Sequence, residues 1–140
     1  MKKITVFICL VLFLSCSNKK YDEALLKGLN KTEKIQESFS STLKQGMYLN
    51  NAQYEDTKKI MDKMYTLSIK ELGEDIDTLA VFASTLKDAD KEPYKSFLPL
   101  YGKVTELYSI LKSGQYNAFD ITQRQADISK DIELLKLKIK

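Results

Sequence analysis

Apolar residues recur every three or four positions along most of the chain, which is the spacing of one face of an α-helix. The first such stretch predicts a helix over about residues 22–46, with Gly46 and Asn50-Asn51 marking its end. We expect Asn51 to act as the N-cap of the helix that follows. The apolar positions of this first stretch are Leu25, Leu29, Ile35, Phe39, Leu43 and Met47.

The second stretch has the most regular pattern, with eight positions separated by three or four residues. Because the phase is kept across Gly73, the pattern predicts one long helix over about residues 52–88, despite the cost of about 1 kcal/mol for glycine inside a helix. A break at Leu72-Gly73, giving two shorter helices, is the alternative. The eight positions are Met61, Tyr65, Ser68, Leu72, Ile76, Leu79, Ala83 and Leu86.

A polar connection over residues 88–93 precedes two further predicted helices. Pro93 suits the first turn of the third helix, whereas Pro99 lies deeper and should kink or delay it. We expect the third helix to end at Gly114 and the fourth to span about residues 118–139. The apolar rows are Phe97, Leu100, Val104, Leu107 and Leu111 in the third helix, and Ile121, Ile128, Ile132, Leu135 and Ile139 in the fourth.

Four amphipathic helices joined by short polar turns predict an all-α fold. The simplest way to bury their apolar rows is an antiparallel helical bundle of about four helices, with a long second helix. Because the second helix is much longer than its partners, one end of it must project beyond the bundle unless the helix is broken.

The N-terminal segment differs from the rest of the chain. Lys2 and Lys3 precede an apolar run from Ile4 to Leu14 that is interrupted only by Thr5. A helix of this length spans about half of a bilayer core. The run therefore predicts a cleaved signal peptide over residues 1–15 and not a permanent membrane span.

The end of this segment, Phe13-Leu14-Ser15-Cys16, resembles the lipobox of bacterial lipoproteins. Ser15 and Cys16 match the usual pattern, while Phe13 stands where Leu is preferred and Leu14 where a smaller residue is usual. The resemblance implies a thioether-linked lipid on the Cys16 sulfur, cleavage before Cys16 and, commonly, an acyl group such as palmitate on the new amino group. Ordinary secretory cleavage after Ser17 is the alternative.

The cysteine count favours lipidation. Cys9 lies within the predicted signal peptide, so Cys16 is the single cysteine of the processed chain and has no intramolecular disulfide partner. Residues 16–21 would then form a lipidated tether, and residues 22–140 the helical bundle domain.

The residues of this tether indicate which membrane holds the protein. In enterobacterial lipoproteins an Asp after the cysteine retains the protein at the inner membrane. Here Ser17 occupies that place, so the resemblance implies the outer membrane in a cell that has one. Lys19 and Lys20 are expected to keep the tether solvated, with contact to anionic headgroups as the alternative.

Composition excludes several classes of function. Removal of residues 1–15 leaves 125 of the 140 residues, with 20 basic and 19 acidic side chains and a net charge of +1. Such a balance disfavours nucleic-acid binding. The chain has no His, which excludes Ser-His-Asp and Cys-His catalysis. Without His or a free thiol in the processed chain, carboxylates are the only usual ligands left for zinc and copper. We therefore expect neither an enzyme nor a cofactor.

One stretch, Asp88-x-Asp90-x-Glu92, is similar to the opening of a calcium-binding loop. The glycine that an EF-hand loop requires next is replaced by Pro93. No metal site is expected there.

Three tyrosines, Tyr94, Tyr101 and Tyr108, are spaced by seven residues and share one edge of the third predicted helix. We interpret them first as residues that close the margin of the core with their hydroxyl groups in water. The alternative is an amphipathic ledge that binds a partner protein or a glycan, because Tyr is enriched in interface hot spots.

These observations predict a small lipid-anchored envelope protein, held to the membrane through acylated Cys16, that acts as a non-catalytic binding module for an envelope or surface protein. An immunity or exclusion lipoprotein that inhibits an envelope enzyme, a phage or a mating pore is one alternative. The other is a carrier of small apolar ligands, or an envelope enzyme that depends on carboxylates such as Glu74, Asp75 and Asp77. We interpret these three as a charged helix flank.

Overall fold

The computed structural model describes the backbone of residues 2–139 and the side chains of residues 19–139. Cys16 and the predicted signal peptide lie outside the described side chains. Within the described residues there are four α-helices and one 3-10 turn, and no strand. The elements are α1 (Lys2–Asn51), α2 (Glu55–Leu86), the turn Tyr94–Ser96, α3 (Phe97–Ser113) and α4 (Ala118–Lys138).

Contacts of α2 with its two neighbours show that the chain direction alternates. Lys31 of α1 forms an ion pair with Asp75, and Ser68 Oγ donates a hydrogen bond to Gln45 Oε1 over 2.8 Å. Residues late in α1 therefore lie beside residues early in α2. Tyr65, still earlier in α2, contacts the end of α3, so this pair is also antiparallel.

Contacts of α4 complete the bundle. Lys103 of α3 pairs with Asp131 at 2.6 Å, and Glu106 pairs with Arg124 at 2.7 Å. Lys136 pairs with Glu33 of α1 at 2.6 Å, near the opposite end of α4 from the contacts that Gln125 makes with α1. The predicted all-α antiparallel bundle of four helices is confirmed.

The core is built from the apolar rows of all four helices, as predicted. Burial of each large apolar side chain contributes about 1.5–3 kcal/mol to folding. The largest fully buried side chains are Phe39, Phe97, Leu25, Leu29, Ile35, Leu72, Leu79, Leu86, Leu100, Leu107, Leu111 and Ile121.

Two residues assigned to these rows are exposed instead. Met47 is 45% exposed and Ile139 is 36% exposed. Ile139 is the residue after the last turn of α4. Met47 lies in the part of α1 that extends past the ends of α3 and α4. The periodicity continues at both positions, but α3 and α4 do not extend to the level of Met47, and Ile139 follows the last residue of α4.

Helix α2 is continuous through Gly73, so the predicted single long helix is confirmed and the alternative break at this glycine is wrong. A Cβ atom on Gly73 would lie 2.7 Å from the hydroxyl oxygen of Tyr108. The glycine thus gives the tyrosine of α3 room to approach the α2 backbone, and it does not end the helix.

The turn between α1 and α2 lies later than Gly46. Helix α1 continues to Asn51, whose Nδ2 donates to the carbonyl of Met47 over 2.8 Å within the same helix. The N-cap of α2 is Tyr54, so the prediction that Asn51 caps α2 is wrong.

The prolines and the last glycine position the second half of the bundle. Pro99 lies in the first turn of α3, where its missing N–H group has no intrahelical acceptor to lose, so the helix is delayed and not kinked. Pro93 precedes the 3-10 turn. The prediction that it lies in the first turn of α3 is therefore wrong. Gly114 has a φ of 67° and ends α3 as predicted, with its N–H donating to the carbonyl of Leu111.

The end of the α1–α2 hairpin projects beyond α3 and α4. Tyr65 and Tyr116 mark the level at which α3 ends, since Tyr65 contacts Leu111 and Tyr116 lies against Gly46. Residues 47–64 continue past this level, and none of them is buried. At 1.5 Å per helical residue, the projecting part is about 15 Å long. The unequal helix lengths allowed either a projecting end or a broken second helix, and the structure shows a projecting end.

Candidate functional site

The three tyrosines predicted to share an edge face different neighbours, because Tyr94 contacts α1 whereas Tyr108 approaches α2. Tyr94 belongs to the 3-10 turn, and Tyr101 and Tyr108 belong to α3. All three are half-buried and pack against the core. The hydroxyl of Tyr108 lies next to Gly73 of α2. The row therefore closes the margin of the core, with only part of each ring available to another molecule.

Tyr94 connects two distant parts of the chain. Its hydroxyl donates to Asp22 Oδ1 over 2.5 Å, and its ring is 5.5 Å from the ring of Tyr21. The hydrogen bond to the Asp22 carboxylate, aided by burial, raises the pKa of Tyr94 to about 12. These contacts fasten the connection between α2 and α3 to the beginning of the described part of α1.

Tyr108 has a different environment. The Lys112 ammonium nitrogen lies 5.8 Å from the centre of the Tyr108 ring, within the range of a cation–π contact. Lys112 thus covers part of this ring.

A second group of aromatic and apolar side chains is more exposed than the tyrosine row. We call residues 47–64 the hairpin tip. Its acidic and basic side chains are equal in number, three of each, so the tip has no net charge. Tyr54 is 76% exposed, the most of any large apolar residue in the described part of the chain. The exposed large apolar side chains of the tip are Met47, Tyr48, Tyr54, Ile60 and Met64.

The hairpin tip was missed by sequence analysis, although the chain carries a signal for it. Ile60, Met64 and Leu67 repeat the spacing of four and three residues, one position before the core-facing row of α2. All three side chains are exposed. An apolar row beside the core row, in and next to the part of α2 that projects past α3, indicates a surface that another molecule can cover.

The base of the tip is held by two tyrosines. Tyr65 Oη donates to the carbonyl of Leu111 over 2.5 Å. Burial, together with the hydrogen bond to Tyr116, raises the pKa of Tyr65. A Cβ atom on Gly46 would lie 1.9 Å from the Tyr116 hydroxyl oxygen, so glycine is required for this close approach.

A polar cleft of about 370 Å³ lies between α1 and α2. Of the three carboxylates considered for acid–base chemistry, Glu74 and Asp75 line this cleft, while Asp77 is exposed and outside its lining. Lys31 neutralises Asp75 through an ion pair. Within residues 19–139, no group of three or more acidic, His or Cys side chains is arranged to hold a metal ion.

Comparison with known proteins finds no matching protein-family model, no similar curated protein and no similar solved structure. In the portion of the chain whose side chains are described, none of the helices combines the length and the hydropathy needed to cross a bilayer.

Proposed function

We propose that this protein is a lipid-anchored envelope protein that binds a protein partner, without catalysis, through the hairpin tip. The observation that carries the proposal is the exposure of five large apolar side chains on a projection of the bundle. The lipid anchor rests on Ser15-Cys16 and on the apolar run before them.

The composition of the hairpin tip fits a protein partner. Tyr and Met are enriched at the centres of protein interfaces, and charged side chains such as the six of the tip are typical of the polar rim. Tyr48, Ile60 and Met64 supply rigid and adaptable apolar contacts of this kind. The equal numbers of acidic and basic groups in the tip give it no net attraction for a polyanion such as a nucleic acid.

The position of the tip also fits this function. Residues 19–51 lie within α1, and at 1.5 Å per residue this segment spans about 48 Å. A lipid on Cys16 would hold one end of the bundle at the membrane, while the tip lies at the other end. A partner in the adjacent compartment could then reach the tip without contacting lipid.

Site-specific photo-crosslinking tests the proposal in intact envelopes. A photoreactive residue at Ile60 should crosslink to one defined protein. The same residue at Val81, which is 63% exposed on the same helix but outside the tip, should not. Tyr48→Ser combined with Met64→Ser should reduce the Ile60 crosslink by tenfold or more, on the order expected for loss of a hot spot.

Exposed apolar residues outside the tip supply the matched control. Phe119→Ser with Leu137→Ser, at positions that are 75% and 65% exposed, should leave the Ile60 crosslink unchanged if the tip is the binding surface. Equal crosslinking from positions 60 and 81, or loss of the crosslink in this control variant, would contradict the proposal.

A further inference from the structure

Lysines from two distant parts of the chain meet at the end of the bundle opposite the hairpin tip. We call this end the anchor pole; it is formed by the beginning of the described part of α1 and by residues 87–96. The two parts are held together by the hydrogen bond from Tyr94 to Asp22 and by the contact between the Tyr94 and Tyr21 rings. The exposed lysines of the anchor pole are Lys19, Lys20, Lys87, Lys91 and Lys95.

The acidic groups at this pole are largely engaged by other partners. Asp22 accepts the hydrogen bond from Tyr94, and Glu23 pairs with Lys27 at 2.6 Å. Glu92 accepts from the Ser96 hydroxyl and lies 3.5 Å from the Lys138 ammonium group.

The remaining carboxylates of the anchor pole are Asp88 and Asp90, both exposed. None of the five lysines forms an ion pair with a described residue. When Lys27 and Lys138, which pair with Glu23 and Glu92, are counted with the five unpaired lysines, this end carries seven lysines and five carboxylates, a net charge of +2, whereas the hairpin tip has no net charge. The two ends of the bundle thus differ in surface chemistry, one basic and the other apolar.

We propose that the anchor pole docks on a surface of anionic phospholipid, so that the bundle stands on the membrane with the hairpin tip directed away from it. The inference rests on the proposed lipid anchor, because Cys16 precedes Lys19 by only three residues. Each lysine close to an anionic surface strengthens the association about fivefold, and salt screens this attraction. Lys19 and Lys20 thus act together with the three lysines of residues 87–96 and are not merely a solvated tether.

Lysine footprinting tests this orientation. The acylated protein, purified from envelopes, is added to preformed vesicles of phosphatidylcholine alone or of phosphatidylcholine with phosphatidylglycerol. A membrane-impermeant amine-acylating reagent is then applied, and the modification of each lysine is measured by mass spectrometry. On vesicles with phosphatidylglycerol, the five lysines of the anchor pole should lose about threefold or more of their reactivity and regain it in high salt.

Lys58, Lys59 and Lys63 of the hairpin tip are the internal controls, and their reactivity should be the same on both kinds of vesicle. Equal reactivity of pole and tip lysines on both vesicles would overturn the inference. Protection of the tip lysines instead would also overturn it, since the tip would then face the lipid.

A pair of matched variants separates charge from folding. Replacing Lys87, Lys91 and Lys95 by Gln should abolish the protection of Lys19 and Lys20 that depends on phosphatidylglycerol. Replacing the three tip lysines by Gln should leave that protection intact. Circular dichroism should show the same helix content in both variants.

Failure of the lipid anchor has a different signature. An unacylated protein would not float with phosphatidylcholine vesicles. If it floated with phosphatidylglycerol vesicles at low salt, docking of the anchor pole would still be supported. Flotation with neither kind of vesicle would overturn both the anchor and the docking.

Discussion

Gln36 of α1 and Gln125 of α4 each donate a side-chain hydrogen bond to the other's backbone carbonyl. Gln36 Nε2 lies 2.9 Å from the Gln125 carbonyl oxygen, and Gln125 Nε2 lies 3.3 Å from that of Gln36. Ser129 and Ser40 accept second bonds from the two amides at 3.3 and 3.1 Å. Gln36 Oε1 is buried and has no hydrogen-bond partner in the described chain. This polar layer fixes how α1 and α4 align.

The unpaired oxygen makes the two glutamines unequal. Gln125→Met should lower the free energy of unfolding by about 1–2 kcal/mol, because the two hydrogen bonds that Gln125 Nε2 donates are lost. The bond from Gln36 Nε2 is kept, since its acceptor is the backbone carbonyl of residue 125. Gln36→Met should cost less, since it also removes an acceptor whose burial without a partner costs about 1–3 kcal/mol. Urea unfolding of both variants measures the difference. Gln123→Met, on an exposed position of α4, is the control, and a larger loss for Gln36→Met than for Gln125→Met would refute this explanation.

Gly46 is predicted to be sensitive to substitution, because any Cβ atom there would displace the Tyr116 side chain. Gly46→Ala should lower the free energy of unfolding by about 1–3 kcal/mol, because its Cβ atom would overlap the Tyr116 hydroxyl oxygen. Tyr116→Phe removes that oxygen and should recover part of the loss when the two substitutions are combined. Thermal or urea unfolding provides the measurement.

Gly102 offers the opposite case for the same experiment. It lies inside α3, and a Cβ atom there would have nothing within 4 Å. Gly102→Ala should therefore raise the free energy of unfolding by about 1 kcal/mol through helix propensity alone. Equal effects at positions 46 and 102 would show that the close approach of Tyr116 to Gly46 does not occur.

The hydrogen bond from Tyr94 to Asp22 predicts a dependence of stability on pH. The pKa of Tyr94 is raised from 10.0 to about 12 by this bond, with a smaller effect of burial. Because the folded protein favours the protonated phenol, the stabilisation is fully present below about pH 10 and is lost as the pH rises towards 12. The stability difference between the wild type and Tyr94→Phe, measured by urea unfolding, should shrink over this range. A difference that is constant from pH 10 to 12 would argue against the bond.

The tyrosine row is predicted to stabilise the fold. Tyr101→Ser and Tyr108→Ser should each lower the free energy of unfolding by about 1–3 kcal/mol, since both rings pack against the core. Tyr48→Ser, on the exposed hairpin tip, should change it by no more than about 0.5 kcal/mol. Unchanged stability in the first two variants would restore the interpretation of the row as an exposed ledge.

The repeating apolar rows were enough to predict the four helices and most of the core. Phe39, Phe97 and Ile121 are fully buried where the periodicity placed them. The pattern could not show where a helix loses its neighbours, which is why Met47 was wrongly placed in the core. Burial at that position depends on the length of α3 and α4 and not on the sequence around residue 47.

Glycine and cap positions were harder to interpret. Gly46 lies inside α1 and does not mark its end, while Gly73 lies inside α2 as predicted; each glycine leaves room for a tyrosine of another part of the chain. Such contacts are between residues far apart in sequence, so the helix propensities of the neighbouring residues cannot predict them. Gly114, by contrast, was predicted correctly because a left-handed residue after a helix is a local feature.

The candidate surface was predicted only in part. The sequence indicated that one end of the long helix must project unless the helix is broken. It drew attention, however, to Tyr94, Tyr101 and Tyr108, whose rings prove to be half-buried. Regular spacing by seven identifies a shared edge but does not reveal whether a neighbouring helix covers it. The exposed residues of the hairpin tip follow from the antiparallel register of α1 and α2, which requires the folded structure.

The central claim, that the bundle is held to a bacterial membrane by a lipid on Cys16, is tested most directly by metabolic labelling with a fatty-acid analogue. We expect the wild-type protein to incorporate the label and to be cleaved before Cys16, and we expect Cys16→Ala to incorporate none. A labelled Cys16→Ala protein, or a wild-type protein that is exported without label and diffuses freely, would contradict the account.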